Sequence, residues 1–471
     1  HWLDLVRYAD TSGYERDQEK TGAWRYRDYV VTAFNEDLPY NRFILEQLAG
    51  DELDDRSERS VIATGFMRLG TWNDEPNDPE EYKYERLEDL VHATGTAFLG
   101  LTIKCARCHD HKFDPISHTD YHRLASIFWA GPIEPGPREL LGGPSKEQLG
   151  YDVLGWTDVA AEAKPFHRLK KGDPNRPEEE VAPATLSFLP ALERELAPPP
   201  PGAKTTHRRR QMAEWIIDPQ NPLTPRVITN WVWTHYFRRG LVNSPGNFGF
   251  TGAKPSHPEL LDYLASELME NGWRLKHLHR LILLSETYQQ SSSHPQEEAY
   301  AERDSGVELL WRAVRKRLDA ESIRDAMLAA GGDIDLRVGG PGFRPPVAPE
   351  ALEGLSRKSD AWQVSPQQEQ TRRSLYLYAQ RSLQVPLMAT FDASDTSQPC
   401  PQREVTTVAP QALAMMNNAF TLERCDVIAS KLISSDDPIG SLYRQLLQRA
   451  PTPRERELCS EFLAEREKQA T

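Results

Sequence analysis

The 471-residue chain has no apolar run of about 18 residues, so no transmembrane segment is expected. Cysteine is scarce: five residues, an odd number, are too few for a disulfide framework. Positive charge is also short. Fifty-six Lys and Arg face 70 Asp and Glu, a net charge of −14, which argues against a nucleic-acid partner. One short basic run, His207-Arg-Arg-Arg210, reads as a solvated helix start. No fixed-period repeat occurs. What is present is ample core material, 39% hydrophobic with 11 Trp, in a length that suits two or three domains.

Two of the five cysteines stand three apart in Cys105-Ala-Arg-Cys108-His109-Asp110-His111-Lys112-Phe113-Asp114-Pro115. C-x-x-C-H is the spacing that attaches a c-type haem. The thiols add across the vinyl groups and the histidine reaches the iron, so Cys105, Cys108 and proximal His109 form the expected site for one covalent haem c. A structural zinc held by Cys105, Cys108 and either His109 or His111 is the alternative. It lacks a second ligand pair, because Cys400, Cys425 and Cys459 are scattered. Two buried thiols or a local disulfide is the plainest reading. Asp110, His111 and Asp114 follow closely enough to orient His109 through its other ring nitrogen, or to cap the turn.

The rest reads as mainly α: two helical domains joined by a Pro-rich irregular or small β insertion. The expected divisions are 1–130, 131–205 and 206–471, with Pro198 to Pro201 as an extended linker. Tyr26, Val30 and Phe34 fall on one helix face, and Pro39 opens another helix that Gly50 stops. A long helix is expected from Pro79 to about Phe98, then a short one ending at Phe128. In the second half, Thr224-Pro225, a capping box at Ser256-His-Pro-Glu259, Asp319 and Pro410 mark helix starts. Arg373-Ser-Leu-Tyr-Leu-Tyr378 alternates and reads as a strand.

Two loops are rich in oxygen ligands: Asp10 to Asp17, and Thr71 to Asp78. Asp10, Asp17, Glu75 and Asp78 could bind a calcium ion or do acid–base work on a sugar, although neither loop has EF-hand order. Trp24, Trp72 and Trp233 could stack on sugar rings, with core packing as the commoner role.

These motifs carry a resemblance. His1-Trp-Leu-Asp-Leu-Val-Arg-Tyr-Ala-Asp10, Trp24-Arg-Tyr-Arg-Asp28, Glu46-Gln-Leu-Ala-Gly-Asp51 and the Cys105 segment resemble the PSCyt2 domain (DUF1549) of Planctomycetes. Arg239-Gly-Leu-Val242, Ser256-His-Pro-Glu-Leu-Leu-Asp262 and Arg403-Glu-Val-Thr-Thr-Val-Ala-Pro-Gln411 resemble the PSD1 domain (DUF1553). The resemblance implies an exported protein, often preceded by a cytochrome domain and associated with breakdown of complex polysaccharides. It implies no specific reaction. The chain opens at His1 inside a helical pattern, so a longer parent protein is expected.

Function then turns on the sixth iron position. His1, His235 and His257 lie in family-like motifs. His118 and His122 lie near the haem motif, and Met415 and Met416 are further candidates. The leading expectation is a periplasmic or extracellular mono-haem cytochrome that passes electrons to a redox partner protein or cytochrome domain, with haem-dependent oxidoreductase activity left open. The alternatives are a non-redox carbohydrate-active or carbohydrate-binding protein in which haem or metal is structural, and an envelope scaffold.

Overall fold

The computed structural model describes residues 1–133, 153–355 and 362–470. The chain is mainly α, with seventeen α-helices and one two-stranded sheet among the described residues. The first helices are α1 (Trp2–Leu5), α2 (Ala23–Asn35), α3 (Tyr40–Ala49), α4 (Glu58–Ala63), α5 (Pro79–Thr94) and α6 (His118–Phe128). Local chemistry sets their starts. Ser57 and Ser60 form a capping box for α4, Asp78 caps α5 ahead of Pro79, and Ser117 with Asp120 boxes α6. Helix α5 runs into a π turn, Gly95–Leu99, so the long helix expected to Phe98 changes its winding at Gly95.

The linking segment contains the small antiparallel pair β1 (His167–Leu169) and β2 (Pro177–Glu180). Its portion at 134–152 lies outside the described residues. Helices α7 (Arg208–Ile216), α8 (Thr224–Phe237), α9 (Pro258–Glu270) and α10 (Leu275–Leu283) follow, then α11 (Glu297–Arg303) and α12 (Ala320–Gly331). The C-terminal series is α13 (Pro386–Thr390), α14 (Ala409–Asn417), α15 (Ala419–Leu432), α16 (Pro438–Leu447) and α17 (Pro453–Ala470). Asp319 caps α12 through the Ser322 amide.

Three local expectations need correction. Helix α9 begins at Pro258 after His257 with no side-chain cap, so Ser256 and Glu259 do not form a capping box. Residues 373–378 are not a strand. Ser374–Tyr376 is a 3-10 turn, and Leu377 makes a single parallel bridge to Phe343. The alternation there reflects a turn with Tyr376 and Tyr378 buried and Leu375 and Leu377 only partly so. The run His207–Arg210 is not a solvated helix start, because Arg209 is fully buried.

One apolar core runs from Trp2 to Ile282 and draws on both halves of the sequence. Trp2 lies within it. Its ring meets Phe43 at 5.0 Å, Phe98 at 5.8 Å and Trp231 of α8 at 6.4 Å. Its indole N–H donates to the Tyr26 hydroxyl at 3.1 Å. Two smaller cores lie farther along, around Leu387, Met388 and Phe391, and around Trp362 and Tyr378.

Ionic contacts reinforce the junction between the halves. Arg209 of α7 donates to both oxygens of Asp51 (2.7 and 2.8 Å), to Glu52 (2.9 Å) and to Asp158 (3.1 Å). Burial raises the Glu52 carboxyl to about 7, against the pull of Arg209. The Gly50-Asp51 end of the family-like motif is therefore a structural lock.

Candidate functional site

The haem-like motif sits on a short bend between α5 and α6. Gly100 ends the π turn at φ +62°, where a Cβ would lie 2.8 Å from Phe248 and 2.9 Å from Val227. Only glycine fits both the backbone and the space. A 3-10 turn, Ile103–Arg107, follows and buries Ile103 and Ala106. Cys105 lies in this turn and Cys108 is the residue that ends it. Both are exposed free thiols.

Arg107 anchors this turn from beneath. It donates to Glu88 at 2.9 Å, to Glu81, and to the Gly172 carbonyl in the β1–β2 connection. Gly172 lies against the motif itself: a Cβ there would sit 2.7 Å from Cys108 Sγ. His109 is exposed, and its Nδ1–H donates to the Asp110 carbonyl at 2.7 Å. That bond fixes the tautomer with the Nε2 lone pair outward, as a metal-ligating imidazole requires.

The next residues form a clasp. The Asp114 amide donates to His111 Nδ1 at 2.9 Å, and the Phe250 amide donates to Asp114 Oδ1 at 2.6 Å. The second Asp114 oxygen is buried without a donor. A Cβ on Gly249 would lie 2.4 Å from it. Asp110 Oδ1 accepts from the first amide of α6, that of His118, at 2.8 Å. Phe113 and Phe250 present exposed rings beside the motif, at 56% and 78% exposure. Sequence reasoning missed Arg107, Gly172 and Phe250. The glycines at 246, 249 and 252 are a signal that could have pointed to a close approach there.

The histidines considered as further iron ligands are occupied or elsewhere. His118 Nε2–H donates to the Arg107 carbonyl (2.9 Å), while its Nδ1 accepts from Arg168 (3.1 Å). His122 Nδ1–H donates to the His118 carbonyl (2.8 Å), and its Nε2 accepts from the Leu169 amide (3.2 Å). Both rings are neutral in these networks. Burial lowers both, His122 to about 4. His1 and His235 stack on each other at 3.7 Å, and burial lowers His235 to about 4. His257 Nδ1 pairs with the Ser256 hydroxyl at 3.0 Å and lines a cleft of about 240 Å³ with Trp233 and Phe237. Met415 and Met416 are exposed on α14.

The acidic residues of the two loops do not converge. Asp10 is buried, accepting from the Tyr8 hydroxyl at 2.7 Å and the Ala379 amide at 2.9 Å. Asp17 accepts from the Gly13 amide (2.7 Å) and the Ser382 amide (3.0 Å). Glu75 pairs with Arg16, and Asp78 caps α5. Among the described residues no three His, Cys, Asp or Glu side chains gather to hold a metal. Trp72 and Trp233 are buried, and Trp24 is half-buried under Arg25. A larger cleft of about 390 Å³ lies between the N-terminal segment and residues 319–403, lined by Asp4, Tyr8, Asp319, Glu321, Tyr378 and Arg403. Arg403 closes its floor with paired bonds to Asp4 and Glu321 at 2.7 to 2.9 Å.

Comparison with protein families gives two adjoining matches. The model of PSD1, a protein of unknown function (DUF1553), covers residues 208–463, more than half of the chain. The chain belongs to the PSD1 family. Residues 1–131 match the model of PSCyt2, also a protein of unknown function (DUF1549). No curated protein and no solved structure matches the chain. The C-x-x-C-H motif lies in the PSCyt2 part, and the PSD1 part supplies Gly249 and Phe250 to its clasp. No helix among the described residues is long and apolar enough to cross a membrane.

Proposed function

We propose that Cys105, Cys108 and His109 hold one covalent haem c, and that this PSD1 protein is an exported electron-transfer protein. One observation carries the reading. Two free, exposed thiols, one in the 3-10 turn and one at its end, stand next to an imidazole whose Nδ1–H is already bonded to the Asp110 carbonyl. The donor set suits the group: two thiols for thioether links and one outward nitrogen for the metal. Bound haem would supply a one-electron couple. The chain's own residues hold the turn rigid. Arg107 ties it to α5 and to the Gly172 turn, Asp110 orients His109, and Asp114 fastens the following bend to Phe250. Orientation by the Asp110 carbonyl makes His109 a stronger base toward a metal.

The test is an optical spectrum of natively exported protein, oxidised and reduced, after acid–acetone extraction. Haem bands that stay with the polypeptide, and vanish in the Cys105→Ala/Cys108→Ala variant, are expected. Protein exported with haem-attachment machinery that carries no bands would end the proposal.

A second reading, a carbohydrate-binding protein, is favoured by the 390 Å³ cleft, which offers carboxylates beside Tyr8 and Tyr378. Calorimetric titration with neutral oligosaccharides tests it, with Tyr378→Ala as the control. No heat of binding from the wild-type protein would remove it.

A further inference from the structure

The cleft of about 240 Å³ beside His257 has strained walls. Helix α8 ends at it. Arg238 caps that helix in the left-handed region at φ +67°, and the Gln402 side-chain amide donates to its carbonyl at 3.2 Å. The loop after α11 supplies Val307 at φ +54° and Leu310 at φ +57°. Twelve described non-glycine residues take a positive φ. Three of them line this one cleft, and Val307 is the only β-branched residue of the twelve. A β-branched side chain crowds its own backbone there, so the conformation persists only where the surroundings impose it. Asp304 imposes it. Its carbonyl accepts from the Val307 amide at 3.2 Å and from the Trp311 indole at 3.0 Å. Its carboxylate accepts from the Glu308 and Leu309 amides at 2.9 and 2.8 Å. Backbone strain of this kind gathers where a fold is shaped around a ligand.

The lining divides into an apolar part and a basic part. Trp233 and Phe237 stack with ring centroids 4.1 Å apart, and Val307, Leu310 and Val314 add aliphatic surface. Of the charged residues, Arg239 pairs with Glu308 at 3.2 Å. Arg238 is exposed, and among the described residues its guanidinium has neither an ion pair nor a hydrogen bond. Two arginines therefore meet one carboxylate, in a chain whose net charge is −14. His257 adds a ring held at Nδ1 by the Ser256 hydroxyl, with Nε2 left over. The spare guanidinium calls for an anionic head that can accept two parallel N–H bonds, which a carboxylate does. The aliphatic and aromatic walls offer no hydrogen bonds, so they call for an apolar body. The cleft is smaller than the roughly 300–1,000 Å³ of sites for drug-sized molecules, so the ligand is small.

We propose that this cleft binds a small organic monocarboxylate, its carboxylate on Arg238 and its apolar body against Trp233 and Phe237. A sugar would set unpaired hydroxyls against Val307 and Leu310. An inorganic anion would leave the aromatic wall uncovered. The loop held by Asp304 fixes one wall before the ligand arrives, so little ordering remains to oppose binding. The lining shares no residue with the Cys105 turn or its clasp, so the site does not depend on haem.

The test is calorimetric titration of the whole chain with sodium benzoate at fixed ionic strength, with benzamide as the neutral isostere. Saturable heat from benzoate is expected, with a dissociation constant at or below about 1 mM, the range a ligand of this size can reach. Benzamide should bind at least about tenfold more weakly. Arg238→Gln removes an exposed, unpaired side chain, so that variant should keep the wild-type thermal midpoint and lose about tenfold in benzoate affinity. No saturable heat from benzoate, equal affinity for benzamide, or undiminished affinity in Arg238→Gln would each overturn the proposal.

Discussion

The interior contains two charge clusters of opposite imbalance. At the junction of the PSCyt2 and PSD1 parts, one arginine, Arg209, faces three carboxylates. Near the N-terminus, Arg7 and Arg86 pair with Asp89, the buried Lys20 ammonium is held by backbone carbonyls, and Arg381 has Asp89, Asp17 and Asp395 in its surroundings. The two clusters have different means of relief. A carboxylate can take a proton, and Glu52, raised to about 7, is the group that does so. A guanidinium cannot shed one at ordinary pH. Only Lys20 in the second cluster can neutralise, and its arginines rely instead on Asp89 and on backbone carbonyls such as those of Thr71, Thr11 and Arg7. The acid-rich cluster therefore relaxes by titration, and the arginine-rich one by hydrogen bonds to backbone carbonyls.

The largest blow to this contrast should come from Arg209→Ala. It leaves Asp51, Glu52 and Asp158 buried without their cation and should cost about 3–5 kcal/mol in denaturant unfolding. A loss under 1 kcal/mol would mean that the acids are not desolvated. The next effect is on pH dependence. Glu52 binds its proton more tightly folded than unfolded, so its contribution weakens stability as pH rises from its ordinary value near 4.5 to about 7. Glu52→Gln should remove up to about 3 kcal/mol of that slope. The same slope in wild type and variant would show that Glu52 is ionised throughout.

Lys20 should show the opposite sign. Its depressed folded value means that the unfolded chain binds the extra proton, so stability from this site rises with pH toward 10.5. Lys20→Met should flatten that alkaline rise and cost less at pH 7 than Arg209→Ala, because a charge leaves along with three hydrogen bonds. The smallest effect belongs to the exposed thiols. Replacing Cys105 and Cys108 by Ala should leave the haem-free midpoint within about 2 °C, since no buried contact is lost.

The helical class and most helix starts were legible because their signals are local. Ser117 with Asp120, Asp319 with Ser322 and Pro39 before α3 each act within one turn. The C-x-x-C-H spacing was legible for the same reason. What escaped depends on distant partners. Arg209 looks like part of a solvated basic run until Asp51, 158 positions away, and Asp158, 51 positions away, are folded against it. The buried role of Asp10 rests on Ala379, 369 positions away. Acids that look like a cation site in the two loops are drawn apart by separate amides and arginines. At the candidate haem site, the sequence pointed to the three proposed ligands but to neither the Arg107 anchor nor the Phe250 clasp, which is made 136 positions downstream.

The core shared from Trp2 to Ile282 bears on how such genes can recombine. The boundary between the two family matches is a boundary in sequence, yet Trp2, Phe98 and Trp231 share one packed cluster across it. A crossover that carried off either part alone would uncover half of that cluster, along with the acids around Arg209. The two parts are therefore expected to be inherited as one piece, with substitutions on one side of the seam matched by substitutions on the other.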